Sequence, residues 1–275
     1  MIFTIVPRVR AIRTECRSWF DATSARRQLM PARETEAIIL KTFPLGEADR
    51  LVSFFGRASG RMRGVAAGAR RLKNRYGSTL EILSHVQLWY VEKETRDLVR
   101  IQQAESLESF YKAQSDYGLS TGLAVVSEVS ELVLPEREVS ESMFRLILLT
   151  AQEIDRTGDW NLPLSYFAFW TVRLGGWLPR FDRCASCDAP FGSHPAFYDP
   201  MQPGLFCEKC RRTGMKPLHH EARLLAERFT GERLDRIAFE KLIEASTREL
   251  REASLTWIEH NIERRLATRK LLEST

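Results

Sequence analysis

The chain has 275 residues, 44% of them hydrophobic and 10% aromatic, a composition typical of folded domains and unlike that of disordered or collagen-like chains. No apolar run approaches the roughly 20 residues that cross a bilayer, and no cleavage site follows an apolar stretch near the N-terminus, so we expect neither a membrane protein nor a secreted one. The formal net charge is +5, but residues 1–29 contribute +4 of it, so overall charge does not by itself indicate a nucleic-acid partner.

Residues 1–29 contain six arginines and two acidic residues and show no clean period, which predicts a disordered extension. An arginine-rich, acid-poor leader also fits an organelle transit peptide. A third alternative is an upstream start codon, with Met30 as the natural first residue.

Five short stretches rich in β-branched and aromatic residues follow, broken by turns at 44–46, 59–60 and 93–95. The predicted strands lie at 36–43, 48–55, 60–68, 80–92 and 97–105. Five consecutive strands in about seventy residues favour a small closed barrel, and the OB-fold is the commonest such barrel. We therefore predict an OB-fold barrel over residues 30–106, with an SH3-like barrel as the alternative.

After Ser106 the apolar residues recur at the 3.6-residue period of amphipathic helices. This period predicts a helical domain in two parts, 107–180 and 216–275, with a cysteine-containing module at 181–215 between them. The predicted fold class is thus a multidomain α+β protein, in which an OB barrel is followed by a helical domain with an inserted four-cysteine zinc module.

Seven basic residues and no acidic one lie in the basic segment, residues 57–75, with glycines interleaved. The seven are Arg57, Arg61, Arg63, Arg70, Arg71, Lys73 and Arg75. On a barrel, such a segment predicts a surface that binds nucleic-acid phosphates without reading sequence. The alternative is a solvated edge strand, where cations discourage aggregation. Tyr76 and Phe54 are candidates to stack on bases, or else core residues.

Four of the five cysteines form the pattern C-x2-C-x19-C-x2-C, with Cys184, Cys187, Cys207 and Cys210. This spacing predicts one Zn²⁺ ion held by four thiolates, and four thiolates leave no open position for catalysis, so the ion would be structural. A redox pair would need a βαβ unit, which we do not find, and His194 is a weaker candidate ligand. Such cysteine use suits a reducing compartment, and we expect a cytoplasmic protein.

The sequence contains no P-loop, no dinucleotide-binding glycine motif, no serine nucleophile elbow and no complete H-E-x-x-H. These motifs serve nucleotide hydrolysis, dinucleotide binding, ester hydrolysis and zinc proteolysis. We therefore expect a binding protein and no enzyme.

The order of parts resembles the RecO family of bacterial recombination-repair mediators from about Glu36 onward. Four blocks carry the resemblance: EAIILKTFPLGEADRLV (36–52), RGVAAGARRLKNRYG (63–77), WTVRLGGWLPRFDRCASC with YDPMQPGLFCEKC (170–187 and 198–210), and IEHNIERRLATRKLLE (258–273). Asn74 stands where the family pattern has serine, and residues 1–29 have no counterpart in it.

The resemblance implies a bacterial, nucleoid-associated protein that binds single- and double-stranded DNA and anneals complementary strands without ATP. It also implies that the protein works with RecR, and with single-strand-binding protein through that partner's acidic C-terminal tail, to help load RecA. A basic rim for such a tail is predicted at Arg264, Arg265, Arg269 and Lys270, although cations also collect at helix C-termini for the helix dipole. The alternatives are an RNA-binding or ribosome-associated protein and a zinc hydrolase.

Overall fold

The structure is a computed structural model that describes residues 32–92, 97–199, 201–237 and 241–272, with side chains left undescribed at 241–243. The predicted extension at 1–29 lies outside the described residues. Within the described ranges, no helix is both long and apolar enough to cross a membrane.

Five strands close into an N-terminal barrel. They are β1 (Arg33–Leu45), β2 (Asp49–Gly56), β3 (Gly60–Ala66), β4 (His85–Val91) and β5 (Val99–Glu108). The strands are joined in the order β1-β2-β3-β5-β4, and β4 closes onto β1. All neighbours are antiparallel except β3 and β5, which run parallel from Gly64 opposite Val99 to Ala66 opposite Ile101. The predicted OB-like barrel is confirmed.

The alternation of side chains along β1 explains why the barrel has two buried faces. Ala37 and Ile39 belong to the core inside the barrel, whereas Ile38 and Leu40 belong to a second core that the barrel shares with the helices. Since successive side chains of a strand point to opposite faces, the run AIIL serves both cores. Phe55 of β2 joins the second core, with its ring centroid 6.0 Å from that of Phe144.

Seven α-helices follow the barrel in the described chain, together with a short 3-10 helix (Leu234–Arg236) and a small sheet described below. The α-helices are α1 (Tyr111–Ser115), α2 (Tyr117–Val133), α3 (Glu141–Thr157), α4 (Asn161–Leu174), α5 (His220–Gly231), α6 (Lys241–Asn261) and α7 (Arg269–Leu272). The predicted helical texture is confirmed, but β5 continues to Glu108, past the predicted change at Ser106. Leu80 and Leu83, predicted in a strand, lie in turns, because the loop before β4 folds them into the two cores.

The last part of the helical region predicted at 216–275 is interrupted between α6 and α7. Glu263 has a φ of 53°, the left-handed region that ends a helix. Glu128 of α2 then accepts hydrogen bonds from the backbone N–H of Ala267 and Thr268, at 2.9 and 2.8 Å, and so caps the segment that starts α7. Burial raises the pKa of Glu128, but the bonds from Thr268 outweigh it and lower the pKa below its ordinary value.

The cysteine-containing segment carries a separate three-stranded sheet. Its strands are β6 (Ala196–Asp199), β7 (Gln202–Phe206) and β8 (Lys216–Leu218), in the order β7-β6-β8. Tyr198, Leu205 and Leu218 are buried in the core shared with the helices. The domain boundaries that we predict from sequence stay a prediction.

A carboxylate whose side chain is only 11% exposed joins the barrel to the helices. Glu131 of α2 accepts a hydrogen bond from Ser53 Oγ at 2.5 Å and forms ion pairs with Arg61 and Arg63 at 3.3 and 3.1 Å. Arg61 is itself buried, and its Nε donates to the carbonyl oxygen of Leu134 at 2.7 Å. Because a buried charge needs partners, these contacts tie β2 and β3 to α2.

We expect Glu131→Gln to destabilise the protein by about 2–4 kcal/mol, since it leaves the buried Arg61 charge without its carboxylate. Urea unfolding at neutral pH measures the effect. The matched control is Glu136→Gln, because Glu136 pairs with the same Arg61 at 3.5 Å but is 62% exposed, and its loss should cost less than about 1 kcal/mol. Equal losses for the two variants would contradict the role given to Glu131.

Candidate nucleic-acid interface and candidate metal centre

The structure divides the seven cations of the basic segment into two groups. Arg57, Arg61 and Arg63 pair with carboxylates of the helical region. Arg57 Nε donates to Glu141 at 2.8 Å, and its Nη1 pairs with Glu36 at 2.9 Å. Their charge is largely neutralised within the fold. DNA contact by these three cations stays a prediction, and the burial of Arg61 disfavours such a contact for that residue.

The other four cations lie on the β3–β4 loop, residues 67–84. Arg70, Arg71, Lys73 and Arg75 are all exposed. In the described part of the chain, no carboxylate lies within ion-pair distance of any of them. Four unneutralised positive charges within six residues favour contact with an anionic polymer.

The turn between β1 and β2 supports one end of this loop. Asp49 Oδ1 accepts a hydrogen bond from the N–H of Gly68 at 2.8 Å, where a φ of 74° suits glycine. The N–H of Arg70 donates to Ala48 O at 2.9 Å, and its Nη1 donates to Gly46 O at 2.5 Å. The LGEAD turn thus holds the loop, a role that we did not predict from its sequence because the two segments are twenty residues apart.

The far end of the loop is fastened by Asn74 and Tyr76. Asn74 Oδ1 accepts from the N–H groups of Tyr76 and Gly77, both at 2.9 Å, and its Nδ2 donates to Arg71 O at 3.1 Å. Tyr76 is buried, and its hydroxyl donates to Ile101 O at 2.9 Å. Tyr76 and Phe54 are both core residues, so neither offers a free face to a base. Arg75 lies over the Tyr76 ring, with its guanidinium carbon 5.1 Å from the centroid.

The four predicted metal ligands come together. The sulfurs of Cys184, Cys187, Cys207 and Cys210 all lie within 4.8 Å of one another, and those of Cys187 and Cys207 are 3.7 Å apart. A tetrahedral ion with bonds of about 2.3 Å needs sulfurs about 3.8 Å apart. The four thiols can therefore hold a metal ion without rearrangement of the backbone.

Backbone N–H groups favour the thiolate form at this cluster. Burial raises the pKa of Cys184, but hydrogen bonds from the N–H groups of Cys207, Cys187 and Ser186 outweigh it and lower the pKa to about 6. The thiols of Cys187 and Cys207 raise the pKa of Cys210 to about 12. A cation bound between the four sulfurs would favour the thiolate form of its ligands.

Arg223 of α5 fastens the first cysteine pair to the helices. Its guanidinium is buried and donates to the carbonyl oxygens of Phe181, Gly192 and His194, at 3.0, 2.7 and 2.7 Å. Burial lowers the pKa of Arg223. We did not single this residue out from sequence, although it borders the apolar stripe of α5 and so stands where a buried arginine would occur.

The predicted partner rim is divided as well. Arg264 and Arg265 are exposed in the segment between α6 and α7. Arg269 is engaged within the fold, since it pairs with Glu252 at 2.7 Å and with Glu259 at 2.8 Å. Lys270 is exposed on α7. A partner site at these residues stays a prediction.

Comparison with known proteins decides the family. The family model "Recombination protein O N terminal" matches residues 30–110, and "Recombination protein O C terminal" matches residues 114–270. The chain belongs to the RecO family. The resemblance found in the sequence blocks is thereby confirmed.

Curated RecO relatives cover nearly all of the chain and nearly all of their own length. The "DNA repair protein RecO" of Koribacter versatilis is 34% identical over 88% of this chain and 98% of its own. The protein of that name in a Nocardioides species is 37% identical over 81% of this chain and 92% of its own length. The protein of that name in Anaeromyxobacter dehalogenans is 27% identical over 89% of this chain and 97% of its own length. RecO membership places the chain among DNA repair proteins.

We expect the native protein to carry about one metal ion per chain, measured by elemental analysis, and removal of that ion by a chelator to loosen residues 184–210 locally. Hydrogen exchange should accelerate in that segment and not in β1–β5, because Arg223 and the shared core do not depend on the ion. Cys210→Ser should reproduce the effect, and Ser186→Ala should not. A chain purified without metal, or a uniform rise in exchange over the whole chain, would contradict a local structural ion.

Proposed function

We propose that the chain is a DNA-binding recombination-repair mediator that anneals complementary single strands without ATP. One observation carries the proposal: an OB-like barrel presents the four exposed cations of the β3–β4 loop, and within the described chain no carboxylate lies at ion-pair distance from them. Phosphates that replace counterions along this loop would bring strands to high local concentration without reading their sequence. Such a protein needs no catalytic turnover.

We further propose that the partners are RecR and the acidic C-terminal tail of single-strand-binding protein, and that the chain thereby helps to load RecA. Support comes from membership of the RecO family and from exposed cations at Arg264 and Arg265, whose charge complements an acidic tail. Arg269 is left out of this surface because its charge is already paired.

The metal of the cysteine cluster is proposed to be Zn²⁺. A set of four thiolates selects soft or borderline ions, and Zn²⁺ takes a tetrahedral arrangement with no open position. The ion would stabilise the segment between α4 and α5. A hydrolytic role is disfavoured because it needs a free coordination position.

We expect the triple change of Arg70, Arg71 and Lys73 to Ala to weaken DNA binding and flatten its salt dependence. Each lost phosphate contact on single strands lowers the log–log slope by about 0.7, so the slope should fall by about 2. Binding isotherms at several salt concentrations measure it.

A matched control removes the same charge elsewhere. Arg156, Arg180 and Arg233 are exposed and paired with carboxylates of the helical region or cysteine module, and their change to Ala should leave the slope unaltered. A wild-type slope in the loop variant would remove the loop from the interface.

Strand annealing tests the function itself. We expect the protein to accelerate annealing of complementary strands coated with single-strand-binding protein, in buffer without ATP, because the loop holds both backbones. A rate equal to that of spontaneous annealing would contradict the proposal. Competition between single-stranded DNA and RNA of equal length separates it from the RNA-binding alternative, which predicts preference for RNA.

A further inference from the structure

Leu72 is the most exposed large hydrophobic residue in the described chain. Its relative solvent-accessible area is 105%, so the residue is fully exposed. It lies between Arg71 and Lys73 on the β3–β4 loop. Isolated exposed leucines are ordinary, but this one stands at the centre of the cationic surface described above. The position of this apolar side chain suggests that it contacts something other than phosphate.

The loop holds Leu72 outward on both sides. The N–H of Arg70 is bonded to Ala48 O, and Asn74 Nδ2 is bonded to Arg71 O. Ala69 and Tyr76 are buried in the barrel core on either side of the exposed stretch. With both flanks fastened, residues 71–73 project from the barrel, and the side chain of Leu72 is fully exposed there. The exposed leucine therefore lies on a stretch of backbone that is bonded on both sides.

We propose that Leu72 contacts the faces of bases in single-stranded DNA whose phosphates are held by the flanking cations, and that it partly unstacks them. This inference rests on the proposed function. Leucine is one of the apolar side chains that proteins insert between neighbouring bases. An apolar contact with a base face carries no hydrogen-bond code, so it suits a protein that binds any sequence.

Unstacking would serve annealing directly. Bases stacked in a folded single strand are poorly placed to meet a complement, whereas bases separated on a surface present their pairing edges. The cations hold the backbone, and Leu72 would keep neighbouring bases apart. The β3–β4 loop would then both bind the strand and prepare it for pairing.

The test uses the full chain and a single-stranded oligonucleotide that contains 2-aminopurine between adenines, because 2-aminopurine fluorescence rises when its stacking is lost. We expect the wild-type protein to raise the fluorescence and Leu72→Ala to remove most of that rise. Affinity should fall about fivefold in Leu72→Ala, the loss expected for a partly buried leucine side chain. The slope of log affinity against log salt should stay at the wild-type value, because no phosphate contact is removed.

Two controls isolate the base contact. Leu72→Met should restore the fluorescence rise, since an unbranched apolar side chain of similar volume can make the same contact. Leu224→Ala removes an exposed leucine from α5 and should behave as wild type. Thermal unfolding should be unchanged in all three variants, because both leucines are exposed.

The outcomes separate the two proposals. An unchanged fluorescence rise in Leu72→Ala, with salt-dependent binding intact, would overturn the role of Leu72 and leave the DNA-binding function standing. No salt-dependent binding by the wild-type protein would overturn both. If Leu72→Ala lowered the slope of log affinity against log salt, the change would have disturbed the phosphate contacts of the cations. That result would also overturn the proposal that Leu72 makes a base contact of its own.

Discussion

The carboxylate of Glu131, whose side chain is only 11% exposed, pairs with two cations of the barrel, Arg61 and Arg63, and holds them against α2. Glu36 of β1 and Glu141 of α3 pair with a third, Arg57. These ion pairs commit three positive charges to the joint between barrel and helices, and the buried Arg61 is the one whose charge most needs a partner. The charges left over lie together on the β3–β4 loop, on the part of the barrel that the helices leave exposed. The basic segment thus supplies both the ion pairs of the fold and the cations of the proposed DNA surface.

The β3–β4 loop and the cysteine segment are both stabilised by side-chain hydrogen bonds to their backbone, although the side chains differ in kind. In the loop, Asp49 and Asn74 accept hydrogen bonds from backbone N–H groups, and Tyr76 anchors the loop in the core. In the cysteine segment, Arg223 donates hydrogen bonds to three carbonyl groups, and the thiols form a site that a metal can complete. One side chain distant in sequence contributes to each: Asp49 for the loop and Arg223 for the cysteine segment.

Local patterns were enough to predict the barrel, the helices and the cysteine cluster, because strand alternation, helical period and C-x-x-C spacing are short-range properties. Contacts between distant segments escaped prediction. Nothing in the basic segment distinguishes Arg61 from Arg71, yet one is buried against Leu134 and the other is exposed. Likewise, the last part of the helical region is interrupted at Glu263 because Glu128, over a hundred residues earlier, caps the following segment.

The second buried face of the barrel sets an order of events during synthesis. Ile38, Leu40 and Phe55 belong to the core shared with the helices, so the barrel strands leave the ribosome before the helices that help to cover this apolar strip. β1 also waits for β4, and β3 for β5, before the sheet can close. Until residues near Ala151 emerge, this strip is a surface that a chaperone can hold or a second nascent chain can join. The same strip that fastens the barrel in the finished protein is therefore its point of greatest exposure while the protein is made.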